Sequence, residues 1–214
     1  MARTVADVRG YLLSELNSAL RRTGMYGGEM ALRLYFDAVA YADEREQDWR
    51  RETDLLHERG AFVSTGVSGA VERVLGERSE YVMASVYAEL AHRYGWLTLD
   101  RPLEPAEYDR VRNAVVSWCE SDRTMTETLA EFGPPSILLG GNNPRYSKTF
   151  GYGTPHQPLV FFHLWNGTES NAASTWPPDH PEPLLQAARR PADSFVEEFV
   201  FTPRGARRRK ELGA

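Results

Sequence analysis

Eight side chains between residues 142 and 166 carry most of the chemistry this sequence can offer. In Gly140-Gly-Asn-Asn-Pro-Arg145 the backbone N–H groups of a Gly/Asn turn can form a nest for an anion. Asn142 and Asn143 add amide donors, and Arg145 and Lys148 add positive charge. Tyr146 places a phenol between them. The same residue types are also what a hairpin connection demands, because turns need glycine, asparagine and proline. Further on, His163 supplies an acid/base group, and Asn166 supplies another amide. Trp165 shares a strand face with His163, since side chains alternate along a strand. Two functions fit. Either the 140–166 surface receives a protein partner, or Arg145 and Lys148 hold a small anion in a pocket where His163 moves a proton.

Other chemistries are absent by pattern. A reactive cysteine needs a base and an electropositive setting. Cys119, the only cysteine, falls on an apolar helical stripe beside Trp118, and Glu120 and Asp122 would raise its pKa. Gly66-Val-Ser-Gly-Ala70 misses the last glycine of a nucleophile elbow. The five histidines are scattered with no ligand spacing between any pair, so no zinc site is expected. His92 lies off its helix's apolar stripe and is expected in solvent. No catalytic residue, metal or cofactor is assigned.

Composition narrows the partners. The chain has 214 residues, 42% hydrophobic and 26% charged, with a net charge of −5, which disfavours nucleic acid and anionic lipid. A protein partner is expected first and a small anionic ligand second. A neutralising, immunity-like role suits a small acidic chain without catalytic motifs. Basic residues are nearly all arginine, the lysines being only Lys148 and Lys210, as high-GC bacterial coding would produce. One cysteine allows no intramolecular disulfide, early charges interrupt any apolar leader, and no apolar run is long enough to span a bilayer. The expectation is a cytoplasmic protein, in which the acceptor pattern Asn166-Gly-Thr168 has no meaning.

These residues must be held by elements, and the pattern of elements changes near residue 133. Before it, helical spacing recurs: Val5, Val8, Leu12, Leu16 and Leu20, then Leu32, Phe36 and Val39 in a helix that runs on to about Leu56. A short helix is expected around 70–75. Val82, Val86, Leu90 and Tyr94 follow, then Tyr108, Val111, Val115, Trp118 and Cys119. Thr124-Met-Thr-Glu127 is a capping box for a last helix ending at Phe132-Gly133. Beyond it, Ile137–Leu139, Thr149–Tyr152 and Leu159–Trp165 read as strands, with two more over 184–188 and 195–202. The proline-rich stretch 166–183 reads as an irregular loop. The fold class is therefore α+β: a helical part over 1–132, a mainly antiparallel β-rich region over 133–203, and a frayed basic tail over 204–214.

Two local resemblances add to this. Thr124–Tyr152, a capped helix, a Gly-Pro-Pro turn and strands, resembles the helix-then-hairpin module of small bacterial periplasmic assembly lipoproteins. That resemblance covers about thirty residues, rests mainly on the turn, and implies a protein-binding platform. Arg22-Thr-Gly-Met-Tyr-Gly-Gly28 resembles a segment near the ATP site of gyrase-type ATPases. Their catalytic glutamate and magnesium-binding asparagine have no counterpart in Tyr35–Glu44, which excludes ATP hydrolysis. Met25 and Tyr26 are then expected to plug the gap between two helices.

Overall fold

Helix starts follow the caps written in the sequence. Thr4 and Asp7 bond reciprocally at the start of α1 (Val5–Arg21), Glu104 and Glu107 at α6 (Pro105–Trp118), and Thr124 and Glu127 at α7 (Met125–Phe132). The computed structural model describes residues 4–167 and 180–214. Between these helices lie α2 (Gly28–Ala42), α3 (Glu46–Glu58), α4 (Gly66–Leu75) and α5 (Glu80–Arg93). Five strands follow: β1 (Ile137–Leu139), β2 (Lys148–Tyr152), β3 (Val160–Trp165), β4 (Leu184–Arg189) and β5 (Phe199–Phe201). They pair antiparallel in chain order. Helices first, then an antiparallel sheet, is the α+β arrangement expected.

The register assigns each strand residue to a face. Directly paired residues point the same way. Leu139 pairs with Thr149, Thr149 with His163, and His163 with Ala187. That face, with Ile137, Phe161 and Phe199, joins the core built by α1, α2, α4 and α5. The opposite face, with Phe150, Phe162 and Leu164, packs on Tyr108, Val115, Cys119 and Phe132 of α6 and α7 and their ends. Phe132 stacks on Phe162 with ring centroids 5.0 Å apart. Fully burying such a ring contributes about 1.5–3 kcal/mol. The sheet is therefore a middle layer between two sets of helices, so residues 105–132 belong structurally to the side opposite the first five helices.

Several sequence expectations change. The long second helix is broken at Asp43–Arg45, with Glu44 at φ 57°. Asp43 leaves the helix to accept hydrogen bonds from Arg9 and from Nε1 of Trp96, the latter at 2.8 Å. Helix α4 starts four residues before Ala70. In α1 only Leu16, Ala19 and Leu20 are buried, while Val5 and Val8 are exposed. Met25 is 77% exposed and plugs nothing, while Tyr26 rests against the core.

The expected frayed tail is also corrected: Pro203–Glu211 forms helix α8, capped by Thr202. Thr202 Oγ1 donates to the Leu185 carbonyl at 2.9 Å and accepts from Gly205 N at 3.1 Å. Gly205 is required there, since a β-carbon would collide with the Gln186 carbonyl. The irregular loop expected over 166–183 lies mostly outside the described residues.

Candidate functional site

Of the eight singled-out residues, Lys148 and His163 are buried, Trp165 and Asn166 half-buried, and the other four exposed. Lys148 pairs with Leu164, whereas His163 pairs with Thr149, one residue out of phase. The two side chains therefore leave opposite faces of the sheet. Lys148 turns back at the sheet end, where Nζ donates to the carbonyls of Gly141, at 3.2 Å, and Asn143, at 2.6 Å. Its ammonium shapes the 140–147 loop from beneath, and burial lowers its pKa.

His163 lies in the core, with Nδ1 2.9 Å from Thr149 Oγ1 and its ring stacked between Phe161 and Phe199. Its Nε2 is buried with no hydrogen-bond partner among the described residues. Burial first, and the positive charge of Arg189 second, push its pKa well below the usual imidazole value. The structure does not bring Arg145, Lys148 and His163 into one pocket.

The four exposed residues share one loop, and Asn166 is bonded to it. Asn142, Asn143, Arg145 and Tyr146 form the outer side of the β1–β2 loop. Asn166 fastens that loop to the chain beyond β3. Its Nδ2 donates to the carbonyls of Arg145 and His180, both at 2.8 Å, and its Oδ1 accepts from His180 N at 3.0 Å. Trp165, half-buried at the end of β3, is covered by the Arg208 guanidinium, 3.6 Å from the ring centroid. That is a close cation–π contact.

Beside Trp165 opens a cleft of about 340 Å³, whose other walls are His180, Arg204, Arg207, Arg208 and Glu211. Arg208 is fixed by two hydrogen bonds to Glu77, at 2.8 and 2.7 Å. Arg207 reaches Asp122 at 3.2 Å, and Arg204 Nη1 lies 2.9 Å from His180 Nε2.

The helix-borne half of this cleft was missed by reading residues 204–214 as a tail. Thr202-Pro203, an N-cap followed by proline at the first helical position, was the available signal. Another group invisible in the sequence is the buried cluster of Arg189, Glu198, Glu89 and Ser85 under the helical face. His92, expected in solvent, is instead half-buried and bonded to the Thr154 carbonyl. Cys119 is buried as expected, but burial rather than its acidic neighbours raises its pKa, to about 11.

Among the described residues no three His, Cys, Asp or Glu side chains converge as a metal site, and no helix is long and apolar enough to cross a membrane. A larger depression, about 580 Å³, lies between α2 and α3, but its buried donor, Trp49 Nε1, is already taken by Asp37 at 2.7 Å. The chain matches no family model, no curated protein and no solved structure.

Proposed function

We propose that this chain is a binding protein that receives an acidic segment of a protein partner at the sheet end, with a neutralising, immunity-like role. The observation that carries this is Trp165 clamped under Arg208 at the mouth of a cleft walled by three arginines and one glutamate. Arg207 and Arg208 are paired with Asp122 and Glu77, so what the cleft offers on a chain of net charge −5 is a cluster of arginine N–H donors rather than an excess of positive charge. Donors so placed can fix the register of a carboxylate-bearing segment. Tryptophan, tyrosine and arginine are also the side chains that dominate binding energy at protein interfaces. Asn166 ties the backbone of Arg145 to that of His180 in the cleft wall, which sets the β1–β2 loop, with Tyr146 46% exposed, beside it.

The test is capture of a partner from native lysate by the wild-type chain and by Arg204→Glu/Arg207→Glu, at low and high salt. The wild type should hold its partner at low salt and release it at high salt, and the charge-reversed chain should not hold it. Equal capture by both chains would place binding elsewhere. Failure to capture any partner, with turnover of a small molecule by the purified chain, would replace binding with catalysis.

A further inference from the structure

On the other side of the molecule, away from Trp165, a second cleft of about 460 Å³ opens between the end of α3, helix α5 and the β2–β3 connection. That is within the range of small-molecule sites. Arg59 comes from the C-cap of α3, Glu89, His92 and Arg93 from one face of α5, and His156 and Gln157 from the connection. Prolines 155, 158 and 191 stiffen its mouth.

Each polar group has one side anchored and another unused. His92 Nε2 lies 2.8 Å from the Thr154 carbonyl. A carbonyl only accepts, so Nε2 carries the hydrogen and a neutral ring leaves Nδ1 as a bare lone pair. Burial lowers the pKa of His92, which keeps the ring neutral. Glu89 Oε2 accepts from Arg189 at 2.8 Å, and its other oxygen takes no hydrogen bond from the described residues. Arg59 spends Nη1 on Glu198, at 3.0 Å, and Arg93 spends Nη1 on Glu52, at 2.9 and 2.8 Å. The remaining N–H groups of both guanidinium forks have no hydrogen-bond partner among the described residues.

The charges balance: Arg59, Arg93 and Arg189 stand against Glu52, Glu89 and Glu198. A ligand of net charge would upset that balance, whereas one with both charges would use both kinds of unused group. We infer that this cleft binds a small zwitterion of the free amino-acid type, its carboxylate on Arg59 and Arg93 and its ammonium on Glu89 and Nδ1 of His92. The buried Arg189–Glu198 pair fixes Glu89 and Arg59 from below, so the site is formed before the ligand arrives.

The experiment is calorimetric titration of the whole chain with each standard free L-amino acid, then with the N-acetyl and amide derivatives of any that bind. At least one free amino acid should bind saturably at one per chain. Removing either its ammonium or its carboxylate should weaken it about tenfold or more. His92→Gln keeps a donor for the Thr154 carbonyl but removes the Nδ1 lone pair, and should lose about tenfold in affinity with little change in melting temperature. If that variant does not fold, Arg93→Gln, on the exposed rim, should show the same loss. Absence of binding by every free amino acid, equal binding of the blocked derivatives, or undiminished affinity in the variant would each overturn the assignment.

Discussion

Arg189 Nη1 donates to Glu198 Oε2 at 2.6 Å, and both side chains are 1% exposed. Around them Arg189 also reaches Glu89, the Ser85 hydroxyl and the Ser85 carbonyl, and its guanidinium lies 4.8 Å from the Phe161 ring centroid. Burial disfavours the arginine's charge, but the two carboxylates outweigh it and hold the guanidinium firmly protonated. A buried pair of this kind adds little net stability, yet removing one partner strands the other charge. Glu198→Ala leaves Arg189 its second carboxylate, Glu89, but takes the partner from its buried side and from Arg59, and should therefore cost about 3 kcal/mol and lower the melting midpoint by roughly 10 °C. Arg189→Met/Glu198→Leu should recover most of that loss. Thermal and urea unfolding of both variants measure it, and a double variant as unstable as the single one would contradict the argument.

Stability should fall in mild acid because two histidines are kept neutral. Burial holds the pKa of His163 well below, and that of His92 below, the ordinary 6.5. As pH drops through that ordinary value, the unfolded chain takes up the protons first. Stability from these groups is thus complete above about pH 6.5 and is lost as pH falls below it, by up to about 1.4 kcal/mol per pH unit for each proton. His163→Asn should be less stable at neutral pH but show a shallower loss between pH 6.5 and the range where carboxylates titrate. Urea midpoints across that range decide it.

Cys119 should be inert in the folded protein. Its thiol is buried against the second face of the sheet, and burial pushes its pKa to about 11. Thiolate is then scarce at pH 8, and reagent has no access. A disulfide reagent should label it only at the rate of global opening, and fully in denaturant. Prompt labelling under native conditions would mean that α6 does not stay on the sheet.

Glu29 caps a helix that is not its own. Its carboxylate accepts from Val67 N at 2.7 Å and Ser68 N at 2.9 Å at the start of α4, and from the Tyr87 hydroxyl at 2.9 Å. Glu29→Ala should cost about 2–3 kcal/mol through these lost charge-assisted bonds. Gly66, at φ 80°, has no room for a β-carbon, which would lie 2.5 Å from Glu29 Oε1. Gly66→Ala should therefore be destabilising by about 1–2 kcal/mol from the backbone alone. Urea denaturation of the two variants checks both values.

Local chemistry was legible wherever it is written in neighbouring residues. Thr124 with Glu127 announced α7, the apolar and aromatic run Leu159–Trp165 between Pro158 and Asn166 announced β3, and the change from helical spacing to short apolar runs separated by Gly, Pro and Asn announced an α+β chain. The break at Glu44 was not legible, because Asp43 is drawn away by Arg9, 34 residues earlier, and by Trp96, 53 residues later. Helix α8 was obscured by its charge: its arginines find their partners in Glu77, Asp122 and Trp165, all far along the chain.

The candidate site divides along the same line. Sequence alone determined which side chains lie near the end of β3 and that the connection before β2 is a Gly/Asn turn, since both follow from spacing and turn chemistry. Tertiary structure decided that Lys148 and His163 leave opposite faces, that His163 is core, and that Trp165 meets α8 rather than Lys148. The physical reason is that strand register and the helices covering each face are set by long-range burial of apolar side chains, and a one-residue difference in register sends a side chain to the other side of the sheet.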